Sequence, residues 1–338
     1  MTTAAGLHPR VSVILPFRDA ADTLHDAVAS IERQSLSAFE CVLIDNGSKD
    51  ASAEIAAMAC RRDPRFRLLR VGDGLVRALN AGVAAARSPL VARMDADDVA
   101  ERLRLERQLA LLDADPSLSI VSCLVEGFAV DGRRAGMPRY EAWLNALRTP
   151  DEIRAALFVE SPLVHPSVVM RRTALEQAGG YHDVDGPEDY DLWMRLILGG
   201  HRAAKVPEVL LYWRDSPERL TRTHPRYVAQ RFFETKLRYF YRVRAPGSWL
   251  QIWGAGPIGR RWANALLTGG YLVRRFIDVD RRKIGRLAHG VRICSPDELA
   301  ARDGLILAAV GSPGAREQIE TDLQSRGLRP WDDYVAVA

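Results

Sequence analysis

Closely spaced cysteines, blocks of one charge and long uncharged apolar runs are all missing from this sequence. Cys41, Cys60, Cys123 and Cys294 lie far apart, and no Cys-x-x-Cys pair occurs. A cysteine zinc site and a disulfide framework are therefore not expected, and the chain reads as a reduced, cytosolic protein. The first residues, MTTAAGLHPR, lack the apolar core of a signal peptide. No apolar run of about 18 residues is present, so no spanning helix is expected and any membrane contact would be peripheral. The net charge is +4, carried almost entirely by scattered arginines. That pattern reads as a solvated surface rather than a nucleic-acid patch, although the surplus favours acidic ligands or an anionic membrane surface.

What is present is a regular alternation. The chain has 338 residues, more than one ordinary core accommodates, so two domains are expected. Val11–Leu15, Phe39–Asp45, Arg65–Val71 and Leu90–Asp95 read as strands, and Asp22–Gln34 and Leu75–Ala86 as helices. Strand-helix alternation argues a parallel α/β sheet, whose ligands bind at the carboxyl ends of the strands. Arg18, Asp45 and Asp95 fall at those ends. From Ile120 to Leu211 the pattern is less regular, with a helix over Tyr190–Leu198. Arg226–Arg244 looks helical with aromatics at several phases, and Ala245–Ser248 reads as a hinge. The expected division is a first domain over 1–225, a linking helix and hinge over 226–248, and a smaller α/β domain over 249–338.

Asp95, Asp97, Asp98 and Glu101 crowd into "DADDVAE" at the end of a strand. Asp-x-Asp at such a place can turn two hard oxygen ligands toward Mg²⁺ or Mn²⁺, and through the cation toward a diphosphate. The alternative is a capped turn, with Asp97 or Asp98 starting a helix through Arg102–Leu112. Further on, "GPEDYDLWMRL" offers Glu188, Asp189 and Asp191, which also suit the positive end of a helix.

Several segments occur in one order: "VSVILPFRDA", "VLIDNGSKD", "GLVRALNAGV", "VARMDADDVAERLRLERQL", "HPSVVMRRTALEQAGGY" and "EDYDLWMRL". Together they resemble the family 2 glycosyltransferases of GT-A fold over roughly the first two thirds of the chain. The resemblance implies inverting transfer of a sugar from a nucleotide-diphosphate donor, a UDP-sugar above all, with Mn²⁺ or Mg²⁺. A glycan or lipid-linked acceptor and a role in cell-surface polysaccharide or glycoconjugate synthesis follow from it. By the same resemblance Asp97 ligates the metal and Asp95 contacts the donor ribose or the metal's water. Asp98 stands behind them or caps a helix. Pro16, Phe17, Arg18 and Asp45 line the nucleobase and ribose pocket. Arg18 departs from the aromatic residue often found there, which leaves the base open. Asp189 matches the general base and Glu188 a residue that helps orient the acceptor or the loop. His224 falls where some relatives supply a late metal or diphosphate contact, and Arg214, Arg219 and Arg222 share its stretch. His165 reads as a packed histidine in an ordered loop.

A second motif lies in "WLQIWGAGPIG". Gly254, Gly256 and Gly259 follow a strand and open a helix, and Asp278 ends the next strand. This is the dinucleotide-binding pattern of a Rossmann-like domain: a tight turn, a helix N-terminus and an acid for a ribose. A nucleotide or NAD(P) site and a scaffold role both stay open. No Tyr-x-x-x-Lys pair follows, so an oxidoreductase or epimerase is the lesser reading, beside a non-catalytic nucleotide-sugar-binding protein.

Overall fold

In the computed structural model, strands β1 (Val11–Phe17), β2 (Phe39–Asp45), β3 (Phe66–Arg70) and β4 (Leu90–Arg93) lie parallel in the order 3-2-1-4. Residues 8–129, 136–217, 219–299, 304–312 and 314–338 are described. The N-terminal stretch in which no leader is read lies outside them, apart from His8–Arg10. β1 and β2 are buried along their whole length, as expected of strands covered on both faces. Val11, Val13 and Leu15 pack beneath helices Leu24–Glu32, Ser52–Arg62 and Arg104–Ala114. Ile14, Val42 and Ile44 point the other way, onto helix Leu75–Ala85. Truncating one of these aliphatic side chains to alanine would cost about 2–5 kcal/mol.

Beyond β4, where the sequence pattern loses its regularity, the sheet is mixed. Strands β5 (Val99–Ala100), β6 (Leu118–Phe128), β7 (Val169–Arg171) and β8 (Arg202–Arg214) complete an eight-stranded sheet in the order 3-2-1-4-7-6-8-5. β7 runs antiparallel to both β4 and β6, and β5 antiparallel to β8. The helix expected directly after the carboxylates starts later, at Arg104, because β5 intervenes to pair with Tyr212 and Leu211.

The chain divides into two compact units. The first comprises residues up to Ile153 together with Pro162–Arg231, and the second Arg154–Ser161 with Phe232–Ala338. The stretch expected to link two bodies is largely part of the second unit's core. From helix Ala229–Val243, Phe233 and Phe240 pack edge-on to Trp262. Arg154–Ser161 joins the same unit, with Phe158 against Phe240 and Trp331, and Val159 O accepting from Lys236 Nζ at 2.5 Å.

In the second unit β9 (Trp249–Trp253), β10 (Leu272–Ile277), β11 (Leu287–Ala288), β12 (Val291–Cys294), β13 (Leu305–Ala308) and β14 (Tyr334–Ala336) stand in the order 11-12-10-9-13-14. All neighbours are parallel except the β11–β12 hairpin. The strand order reverses at β9, flanked by β10 and β13.

Candidate active site

Three parallel strands of the first unit end at one edge. Phe17 and Asp45 are register partners there, and Asn46 N donates to Phe17 O at 2.9 Å. Asp45 is buried and its Oδ1 accepts from Ser48 N at 2.9 Å, which holds the turn. Pro16, Phe17, Arg18 and Asp45 are thus neighbours, but the Phe17 ring belongs to the core. Arg18 is exposed and paired with Asp73.

At the end of β4 the carboxylates of Asp95, Asp97 and Asp98 have oxygens within 4.8 Å of one another. They are held so by unlike supports. Arg93 Nη2 donates to Asp95 Oδ1 at 2.5 Å. Arg214 reaches across from β8, its N donating to Asp98 Oδ1 at 2.9 Å and its Nε to Asp97 O at 2.7 Å. Asp98 is almost fully buried, and its Oδ2 has no hydrogen-bond partner among the described residues. Burial and mutual repulsion push Asp97 up to about 6, and burial with repulsion from Asp97 and Asp95 pushes Asp98 well above the carboxylate range. Asp98 is no helix cap, since β5 follows it. Glu101 is half-buried and accepts from Leu103 N.

Three close carboxylates, one with an orphaned buried oxygen, form a hard-oxygen set that fits a divalent cation. His224 is not among them. It is exposed, and its Nδ1 accepts from Arg226 N at 3.2 Å to cap a short turn. Arg219 lies 4.2 Å over the Trp213 ring, and its charge eases the burden on Asp97 and Asp98. Arg222 pairs with Asp215.

Glu188 and Asp189 open helix Glu188–Leu198, where helical N–H groups favour negative charge. Glu188 is buried and its Oε2 accepts from Tyr227 Oη at 2.7 Å. Arg226 Nη1 stands 3.7 Å away. Asp189 Oδ1 accepts from Tyr190 N at 2.7 Å. Burial, then repulsion from Glu188, raises Asp189 to about 8. Asp191 pairs with Arg195 at 2.9 Å, one helical turn on.

The two carboxylate groups share a cation that sequence reasoning passed over. Arg93 is buried; burial opposes its charge, but Asp95, and Glu188 to a smaller extent, raise its proton affinity above the ordinary arginine value. Its signal was an arginine inside an otherwise apolar strand. Tyr181 and Tyr227 gave no such signal. His165 is packed as expected: buried, 2.8 Å from Tyr181 Oη, and kept neutral by burial and by Arg93. Trp193 is fully buried core.

The glycine turn of the second unit is built differently. Gly254 has φ +116, and a Cβ on Gly259 would lie 1.8 Å from Gly254 O, so strand and helix touch backbone to backbone. Asp278 is engaged within the turn. Its Oδ2 accepts from Ala255 N and Lys283 Nζ, and its Oδ1 from Asp280 N, each at 2.9 Å. Burial alone would raise it, but these bonds hold it below the ordinary carboxylate range.

Residues 12–179 match the family model described as glycosyl transferase family 2. The amylovoran biosynthesis glycosyltransferase AmsE of Erwinia amylovora is 29% identical over 205 residues, covering 60% of this chain and 74% of its own. An Escherichia coli UDP-Gal:alpha-D-GlcNAc-diphosphoundecaprenol beta-1,3-galactosyltransferase is 26% identical over 240 residues, 70% of this chain and 84% of its own. Among solved structures, S. aureus TarS 1-349 with UDP-GlcNAc aligns at TM-score 0.54 and 18% identity, covering 68% of this chain and 64% of that one. The mannosyltransferase PcManGT from Pyrobaculum calidifontis, in complex with GDP-Man and Mn²⁺, aligns at TM-score 0.51 and 23% identity, covering 70% and 64%. The chain thus spans under two thirds of each of these structures, and the shared architecture is the GT-A type fold. With a mixed α/β sheet of that type and a matching family model, this chain is a family 2 glycosyltransferase.

Proposed function

We propose that the first unit transfers a sugar from a nucleotide-diphosphate donor to an acceptor hydroxyl, with inversion, in the synthesis of a surface polysaccharide or glycoconjugate. The observation that carries this reading is the pair of strained carboxylate groups, Asp95–Asp97–Asp98 and Glu188–Asp189, facing one buried arginine. Asp97, Asp95 and Asp98 would hold Mn²⁺ or Mg²⁺. A cation held there would supply positive charge to offset that of a departing diphosphate. Asp45 accepts a hydrogen bond from the base, and Arg219 adds a positive charge on the diphosphate side. Asp189 takes the acceptor hydroxyl's proton while that oxygen bonds the anomeric carbon and the bond to the diphosphate breaks. Its raised proton affinity suits the task, because a base near ambient pH both ionises and accepts. A UDP-sugar donor and a lipid-linked glycan acceptor are supported by the printed substrates of the E. coli relative and the TarS complex.

We read the second unit as a Rossmann-like scaffold. The three hydrogen bonds that engage Asp278 within the turn support this reading over the NAD(P)-dependent alternative, in which that acid would face a ribose. The test is transfer from UDP- and GDP-sugars with and without Mn²⁺, in the wild type and in Asp189→Asn. The variant is expected to keep donor binding and lose transfer; normal transfer would remove Asp189 from the role.

A further inference from the structure

From Thr235 to Ile277 the chain carries eight lysines and arginines and no aspartate or glutamate. The whole chain is only +4, so everything outside this stretch is net acidic. The stretch belongs to the second unit, and one part of it gathers at the amino ends of β9 and β10, away from the glycine turn. Trp249 and Leu272 are register partners there and are 47% and 41% exposed. Leu272 N donates to Ser248 O, and Gly247 N to Gly270 O, tying the hinge loop to the same edge. Val243 and Leu267 are exposed beside it, and Tyr241 stacks on Tyr271 and donates to Ala265 O. Arg274 lies 5.0 Å over the exposed Trp249 ring, and Arg242 is exposed at the end of its helix.

We propose that this edge of the second unit docks on an anionic lipid bilayer. Exposed aliphatic side chains offer nothing to a soluble polyanion, and arginines offer nothing to an apolar protein groove. A bilayer with acidic headgroups takes both: rings and aliphatic groups settle at the acyl boundary while guanidinium groups meet phosphate. An arginine stacked on a tryptophan keeps its charge at headgroup level without covering the ring's far face. Among the described residues no helix is long and apolar enough to cross a membrane, so this would be surface attachment. The inference stands independently of the transfer chemistry; its consequence would be to hold the enzyme where lipid-linked acceptors lie.

The experiment is vesicle flotation of the full chain with phosphatidylcholine alone or with phosphatidylglycerol added. Wild type is expected to float only with the anionic vesicles and to be released by salt. Each arginine near an anionic surface contributes about five-fold, so Arg242→Glu with Arg274→Glu should weaken binding by roughly 25-fold or more. Trp249→Ala and, separately, Leu272→Ser should weaken it several-fold, with transfer to a soluble acceptor unchanged. The salt response of the wild type needs no variant and keeps the test open if one fails to fold. Equal binding to both vesicle types, no binding at all, or binding untouched by these variants would overturn the proposal. So would binding to heparin as strong as to vesicles and indifferent to Trp249→Ala.

Discussion

Both units place acidic residues at the carboxyl ends of parallel strands beside a turn, yet the two edges are in opposite electrostatic condition. In the second unit Asp278 has a donor for each oxygen and is held ionised. In the first unit Asp97, Asp98 and Asp189 are pushed upward by burial and by one another, and Asp98 keeps an orphaned oxygen. An acid whose bonds are satisfied internally braces the fold. Acids crowded without enough donors destabilise it and need an outside partner, which is the condition of a binding site. The acid that follows the glycine turn is thus braced by contacts of its own unit.

The comparison can be broken most sharply at Asp97 and Asp189. Asp189→Asn should lower kcat by about 10²–10⁴ while donor binding holds, measured by steady-state transfer against nucleotide titration. Asp97→Ala should abolish the Mn²⁺ dependence of transfer. In the wild type, kcat/KM should fall as pH drops below about 8. The sign follows from the role proposed for Asp189: as the base it must be unprotonated, and its raised pKa keeps the proton on at lower pH. A profile flat from pH 6 to 9 would separate Asp189 from the reaction.

At the other edge, Asp278→Asn should leave transfer unchanged but cost about 1–3 kcal/mol of stability, read as a lower melting temperature. Loss of activity without loss of stability would mean that this acid serves a ligand after all. The smallest effect is expected at His224: with its Nδ1 turned to Arg226 N, His224→Ala should shift the Mn²⁺ concentration for half activity by less than about three-fold.

Much of the first edge was legible because its signals are local. Apolar runs ending at Phe17, Asp45 and Arg93 mark parallel strands, and Asp-x-Asp and Glu-Asp mark the carboxylates. What stayed hidden depends on partners far away in the chain. β6 and β8 pair across some eighty residues, with irregular register, so neither shows a clean period. Arg93 matters because it stands between groups from two distant segments, and Tyr227 because a turn brings it onto Glu188. The contacts of Asp278 were hidden for the same reason. Its position at a strand end is local, but the Ala255 N–H that engages it is 23 residues earlier. The lack of acids from Thr235 to Ile277 was readable in composition, but its meaning came only with the edge that exposes Trp249 and Leu272.

The central claim is that the carboxylates of the first edge are destabilising until a cation joins them, and melting temperature against pH tests it directly. Asp97 titrates near 6 in the folded chain, above its unfolded value, so folding stability of the metal-free protein should fall as pH rises from about 4 through 6. Mn²⁺ should reverse that loss and raise the melting temperature more at pH 7 than at pH 5. Asp97→Asn should melt higher than wild type without metal and respond little to it. A wild type indifferent to Mn²⁺ at pH 7, with Asp97→Asn melting lower, would contradict the account.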